Sequence, residues 1–261
     1  MEYDYMKSQI EQLISTYVGD ISIYAVSLRD HRILMDHHST QQVRSASIIK
    51  VLIMISVLEE IAKNKYELTS MITVNQNQIL FDSEIFLVEE RIVTIEELLT
   101  WMIAYSDNTS ANVLIDLIGI EAINKTIRDM NLIQTLLQRK MLDFETIVKG
   151  SDNFTSAQDM YIVFERIFSN SILTPLLCEK AKEILLMQKI KDQFMRFIPD
   201  DLVVFHKTGD LDHLNHDVGV VRVNDQDYFL GVFCWNTVDI DGNKNFVGLL
   251  AQIFYEFVKT I

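Results

Sequence analysis

The strand-like runs of this chain lie near its two ends, and the stretch between them is patterned for helix. Asp20–Leu28 and Arg32–Asp36 are short β-rich runs around the polar Arg29-Asp30-His31, which is the pattern of a hairpin. Leu202–Lys207, Val218–Val223 and Tyr228–Trp235 are three more such runs, separated by Asp-rich turns. Between about 45 and 190, apolar residues recur every three to four positions in segments 48–63, 94–105, 108–118, 120–130, 156–169 and 175–190. Residues 3–18 and 244–259 carry the same helical spacing. A lone hairpin is marginal in water, so the two groups of strands are expected to join. The pattern predicts an α/β (α+β) fold: one five-stranded antiparallel sheet built from both ends, covered by the terminal helices, with an all-helical lobe beside it. The sheet lobe takes about 1–44 and 191–261 and the helical lobe about 45–190. No repeat or Pro/Gly-rich linker divides the chain, so 1–261 is read as a single domain. Thr94-Ile-Glu-Glu97 is a capping box and fixes one helix start; Ser156 with Asp159 is a weaker one.

Composition narrows the function. Hydrophobic residues make up 49% of the 261, enough for a sizeable core, and two Pro with eight Gly exclude a collagenous or disordered chain. A net charge of −14 without a basic cluster argues against nucleic acid, whose phosphates need grouped Lys and Arg. Ile48–Ile61 is the most apolar stretch, but it is interrupted by Lys50, Glu59 and Glu60 and is shorter than the roughly 20 residues a membrane span needs. It reads as a core helix, and no membrane partner is expected. Acids near the N-terminus, with no continuous apolar run, do not resemble an export leader. The expectation is a cytoplasmic protein as written, secreted if a leader has been removed. Cys178 and Cys234 lack metal-ligand spacing and are expected to be two buried thiols; no metal and no cofactor is expected.

The chemistry begins at Lys50, three residues into a helix that is apolar on nearly every side. A buried ammonium is costly unless it is paired or neutralised. Ser47 stands three residues earlier on the same face, at the helix N-terminus where the dipole favours negative charge. A serine next to a desolvated lysine has the base it needs to become a nucleophile. Taken alone, the pair is equally a helix cap and a snorkelling lysine. Ser106-Asp107-Asn108 follows at a break between two helices, and alone it is a cap with turn residues. Lys207-Thr208-Gly209 follows at the end of a strand, and alone it is a strand end.

Together and in this order, Ser-x-x-Lys, Ser-Asp-Asn and Lys-Thr-Gly are a signature of class A β-lactamases and penicillin-binding proteins. Over nearly its whole length the chain resembles the class A β-lactamase family. Arg44-Ser-Ala-Ser-Ile-Ile-Lys50 is similar to its nucleophile segment, Ser106-Asp-Asn-Thr-Ser-Ala-Asn112 to the second motif and His206-Lys-Thr-Gly209 to the third. The resemblance implies a single catalytic domain that acts on a small-molecule substrate, a β-lactam or a related acyl compound, through an acyl-serine. Ser47 attacks, Lys50 takes or relays its proton, and Ser106 protonates the leaving nitrogen. Asn108 binds the substrate's side-chain amide, while Lys207, Thr208 and Gly209 line the carboxylate site. The backbone amides of Ser47 and Asp210 form the oxyanion hole.

Two departures stand out. The family places a Glu two residues after an Arg and four before an Asn, on an Ω-shaped loop, to activate the deacylating water. In Arg139-Lys140-Met141 that position holds Met141. Asp143 and Glu145 are the nearby carboxylates, each either displaced into the role or merely solvated. Without a working carboxylate, the chain would behave as a penicillin-binding protein, a D-alanyl peptidase or esterase, or an acylated sensor with slow deacylation. Asp210 also adds a negative charge beside the carboxylate site, which opposes anionic substrates. His206 and His216 flank the motifs and are read as structural.

Overall fold

The computed structural model describes residues 2–87 and 90–261; Met1, counted above in the sheet lobe, lies outside them. The chain opens with α1 (Glu2–Ser15), β1 (Asp20–Ser27), β2 (Ile33–His37) and the two-residue β3 (Val43–Arg44). A tight turn over Ala46–Ile49 leads into α2 (Lys50–Ala62), followed by β4 (Met71–Val74) and β5 (Arg91–Thr94). Next come α3 (Ile95–Ala104), α4 (Asn108–Ile118), α5 (Ile120–Asp129), the short α6 (Phe144–Val148), β6 (Phe154–Thr155), α7 (Ala157–Phe168) and α8 (Pro175–Leu186). The chain closes with β7 (Val203–Leu211), β8 (Leu214–Val223), β9 (Gln226–Trp235) and α9 (Ile240–Val258).

The five-stranded sheet has the order β2-β1-β9-β8-β7, antiparallel throughout. The expected assembly from both ends is what forms: β1 pairs with β9 from Asp20↔Trp235 to Ser27↔Tyr228. Strand alternation divides the side chains between two cores. Val218, Val220, Phe229 and Phe233 pack against the helical lobe around α2. Val221, Val223, Leu230 and Val232 pack against α1 and α9. The α2 residues from Lys50 to Leu58 are all buried, so this helix is the axis of the helical lobe. Thr94 caps α3 as its sequence predicts, accepting from the Glu97 amide at 3.1 Å while Glu97 accepts from the Thr94 amide at 2.7 Å. Cys178 and Cys234 are free and buried.

One expectation is revised. Lys207-Thr208-Gly209 does not end its strand. β7 runs on to Leu211, with Lys207↔Val218, Thr208↔Asp217 and Gly209↔His216 in register. The run Lys207–Asp217 has little apolar alternation because its polar side chains either reach the Ser106 cluster, as Lys207 does, or form buried hydrogen bonds, as Asn215, His216 and Asp217 do. The small pairs β3–β6 and β4–β5 also went unforeseen, being too short to carry a period. Among the described residues, no helix is long and apolar enough to cross a membrane.

Candidate active site

Ser47 sits in the tight turn before α2, half-buried. The preceding Ala46 has φ +45°, in the left-handed region that a residue with a Cβ rarely occupies. Such strain persists only where the surroundings hold it, and here the hold comes from the edge strand. A Cβ built on Gly209 would lie 3.0 Å from Ile48 Cγ1 and 3.2 Å from Ala46 Cβ. Glycine at 209 therefore lets β7 close onto the turn that carries Ser47.

Lys50, three residues on at the start of α2, is fully buried. Its Nζ donates to the Ser106 carbonyl at 2.5 Å, to Ser106 Oγ at 3.2 Å and to Asn108 Oδ1 at 2.7 Å. Burial pushes the Lys50 ammonium well below the ordinary lysine range, and the nearby Lys207 charge adds to this. Ser106 projects from the α3–α4 junction with φ +57°. Asp107 caps α4 by accepting from the Ser110 amide at 2.6 Å, and Ser83 Oγ donates to its second oxygen at 2.6 Å.

Lys207 approaches from the sheet. Its Nζ donates to Ser106 Oγ at 3.1 Å and to the Thr208 carbonyl at 2.8 Å. Burial lowers it to about 7, against the pull of Asp217 and Asp210. The Ser106 hydroxyl thus accepts from two buried lysines and keeps its own proton free to donate. A lysine that is easily neutralised can take a proton; a hydroxyl set between two lysines can pass one on. Three segments far apart in sequence converge on one oxygen atom.

Asn108 is bound on both sides, with Oδ1 on Lys50 and Nδ2 donating to the exposed Asp82 at 2.6 Å. Asp82 is a site neighbour that sequence reasoning missed. It lies in a segment without periodicity, and only the fold of that loop brings it to Asn108.

The loop carrying Met141 is stapled at its base. Asp152 accepts from Arg139 Nε at 2.8 Å and from Arg44 Nε at 2.7 Å. Asn112 clamps the Met141 backbone, accepting from its amide at 2.7 Å and donating to its carbonyl at 3.1 Å. The Asp143 carboxylate is engaged locally by the Thr146 hydroxyl at 2.7 Å and amide at 3.0 Å, which holds it below the usual range. Glu145 is exposed in the first turn of α6. Neither carboxylate hydrogen-bonds into the Lys50–Ser106–Lys207 network.

Both flanking histidines are structural. His206 Nδ1 meets Asp217 Oδ1 at 2.8 Å inside the sheet lobe. His216 Nε2 meets the Arg44 carbonyl at 2.9 Å while Nδ1 accepts from the Cys234 amide at 3.3 Å, and burial lowers it to about 4. His216 is therefore a neutral bracket tying β3 to the sheet. Among the described residues, no cluster of His, Cys, Asp and Glu is arranged to hold a metal ion.

A sequence model of the family described as "Beta-lactamase enzyme family" matches residues 5–258. The chain belongs to that family. It is a serine hydrolase of the β-lactamase type. Among curated β-lactamases, BRO-1 of Moraxella catarrhalis is 24% identical over 239 residues, which span 87% of this chain and 75% of that one. The fold is also that of a class A β-lactamase from Bacteroides cellulosilyticus, at a TM-score of 0.92 and 18% identity over 100% of this chain and 99% of that one. The structure of PBP-A superposes at a TM-score of 0.88, with 21% identity over 98% and 97% of the two chains.

Proposed function

We propose that this β-lactamase-family hydrolase cleaves β-lactams or related amides and esters with Ser47 as its nucleophile. The observation that carries the reading is the Ser106 hydroxyl set between Lys50 at 3.2 Å and Lys207 at 3.1 Å. Lys50, lowered by burial, takes the Ser47 proton as Oγ attacks the carbonyl. Ser106 returns a proton to the leaving atom, and Lys207 replenishes or holds it. The amides of Ser47 and Asp210 face the developing oxyanion, brought together by the packing of Gly209 on Ala46 and Ile48. Asn108 binds the acyl side of the substrate once Asp82 gives way, and Thr208 lines the leaving side. We read 1–261 as one catalytic unit, because these residues come from both lobes.

The second step is the slow one. Met141 stands where the family's water-activating Glu would be, Asp143 is committed to capping α6, and Glu145 is exposed. The acyl-enzyme is therefore long-lived. The test is to mix the protein with nitrocefin and with a fluorescent penicillin and to follow intact mass and product against Ser47→Ala. The expected result is a stoichiometric adduct that needs Ser47, with a product burst followed by slow turnover. No adduct and no product on these substrates or on simple esters would overturn the proposal.

A further inference from the structure

Asp210 lies on the edge strand β7, one residue beyond the glycine that touches the Ser47 turn. Its Oδ1 accepts from Gln193 Nε2 at 2.9 Å and from Asn215 Nδ2 at 2.6 Å. Gln193 and Asn215 are almost wholly buried. The second amide is itself held: Asn215 Oδ1 accepts from Asn243 Nδ2 at 3.0 Å, and Asn243 Oδ1 from the Tyr17 hydroxyl at 2.5 Å. A buried polar chain running through α9 thus ends by aiming one carboxylate. That carboxylate is exposed, and among the described residues it forms no ion pair. Lys207 directs its hydrogen bonds to Ser106 and Thr208, and Lys244 is paired with Asp192 at 2.5 Å.

The neighbouring unfilled groups are acceptors too. Both amide bonds reach Oδ1, which leaves Oδ2 unbonded among the described residues. Gln193 Oε1, on the same amide that holds Asp210, is buried without a partner. By the alternation of β7, Thr208 shares this face of the strand. An anion placed here meets the Thr208 hydroxyl and the neighbouring Lys207 but also a fixed negative charge, whereas an ammonium or guanidinium meets that charge at an oxygen no other group has taken.

We infer that Asp210 is a specificity-determining residue that selects acyl substrates carrying an ammonium or guanidinium group on the leaving side. The inference deepens the hydrolase reading above and rests on it for the position of the acyl group. Amide side chains behind Asp210 fix its position by hydrogen bonds, while Lys207 and Lys244 feel its charge without bonding to it.

The test uses two matched esters, phenylacetylglycine joined to 3-(aminomethyl)phenol or to 3-hydroxybenzoate. In either case Ser47 Oγ takes the acyl group, the bond between the acyl carbon and the phenolic oxygen breaks, and the phenol leaves with the serine proton. We expect wild type to favour the ammonium ester in kcat/KM by at least about tenfold, a preference that shrinks in high salt. Asp210→Asn and Asp210→Ala should bring the ratio close to one, with circular dichroism checking that each folds. A wild-type ratio near one, a preference for the carboxylate ester, or an unchanged ratio in both variants would overturn the inference. Calorimetric binding of the two free phenols to Ser47→Ala tests the charge preference without any acylation. Tighter binding of the aminomethyl phenol, lost when Asp210→Asn is added, supports the inference even if no ester is cleaved; binding of neither phenol, with no ester cleaved, overturns it. Ser47-dependent cleavage without charge preference would sink the inference and leave the hydrolase. Charge preference without Ser47-dependent cleavage would do the reverse.

Discussion

Replacing Lys207 with Met is expected to stabilise the protein at neutral pH while abolishing acylation. Burial takes this lysine from 10.5 to about 7. Between those values the unfolded chain holds a proton that the folded chain has released, so stability rises with pH through that window. One pKa unit is worth about 1.4 kcal/mol, so the buried ammonium costs the fold roughly 5 kcal/mol in acid and roughly 4 kcal/mol at pH 7. Met removes that cost and fills similar space. It forfeits two hydrogen bonds, to Ser106 Oγ at 3.1 Å and to the Thr208 carbonyl at 2.8 Å, each worth about 1 kcal/mol. The balance is a gain of roughly 2 kcal/mol at pH 7 that becomes a loss of similar size above about pH 10. Lys50 moves the neutral-pH result the same way, since the Lys207 charge is one of the forces lowering it. Urea midpoints for both proteins at several pH values would show curves that cross. Parallel curves, or a variant weaker than wild type at pH 7, would refute the reasoning that burial strains this lysine.

Three further outcomes follow from the same geometry. Met141→Glu puts a carboxylate on a backbone clamped by Asn112; the acyl-enzyme should clear at least about tenfold faster, read as decay of the adduct mass. Gly209→Ala forces a Cβ to within 3.0 Å of Ile48 Cγ1; overpacking should cost about 1–3 kcal/mol in urea unfolding and slow acylation by displacing the Ser47 turn. His216, lowered to about 4, should withdraw about 3 kcal/mol of stability as pH falls from about 6.5 to 4, because the unfolded chain takes its proton first. His216→Gln can still donate to Arg44 and accept from Cys234, and an acid limb no shallower than that of wild type would count against this.

Apolar patterning was enough to place the main elements: α3, α4, α7, α8 and α9 repeat at about 3.6 residues because each buries one face, while α2 and the central strands read as continuous apolar runs because both of their sides are covered. Ser47, Lys50, Ser106 and Lys207 were legible for a different reason. Each sits in one of three short motifs that mean little alone and point to one chemistry when they occur together and in order, and Lys50 adds a charge that is costly in a helix buried from end to end. What escaped was whatever depends on two loops meeting. Asp82 reaches Asn108 from a stretch with no period, and Gln193 reaches Asp210 across the sheet edge. The extension of β7 to Leu211 was hidden by its polar run. Asp143 looked available in sequence because a carboxylate's availability depends on its partners, and here Thr146 has taken it.

The pairing of β1 with β9 also sets an order of events during synthesis. At ordinary translation speed the β1–β2 hairpin leaves the ribosome on the order of ten to forty seconds before its neighbour is made. Through that interval one hydrogen-bonding edge of β1 stays open, and α1 has no α9 to rest on. Ser47 and Ser106 emerge early with their helices, but Lys207 arrives only with the last strands. A chain released short of β9 would leave β1 without its β9 partner and so expose a sticky edge. The nascent protein therefore depends on whatever keeps that edge covered until the C-terminus is free.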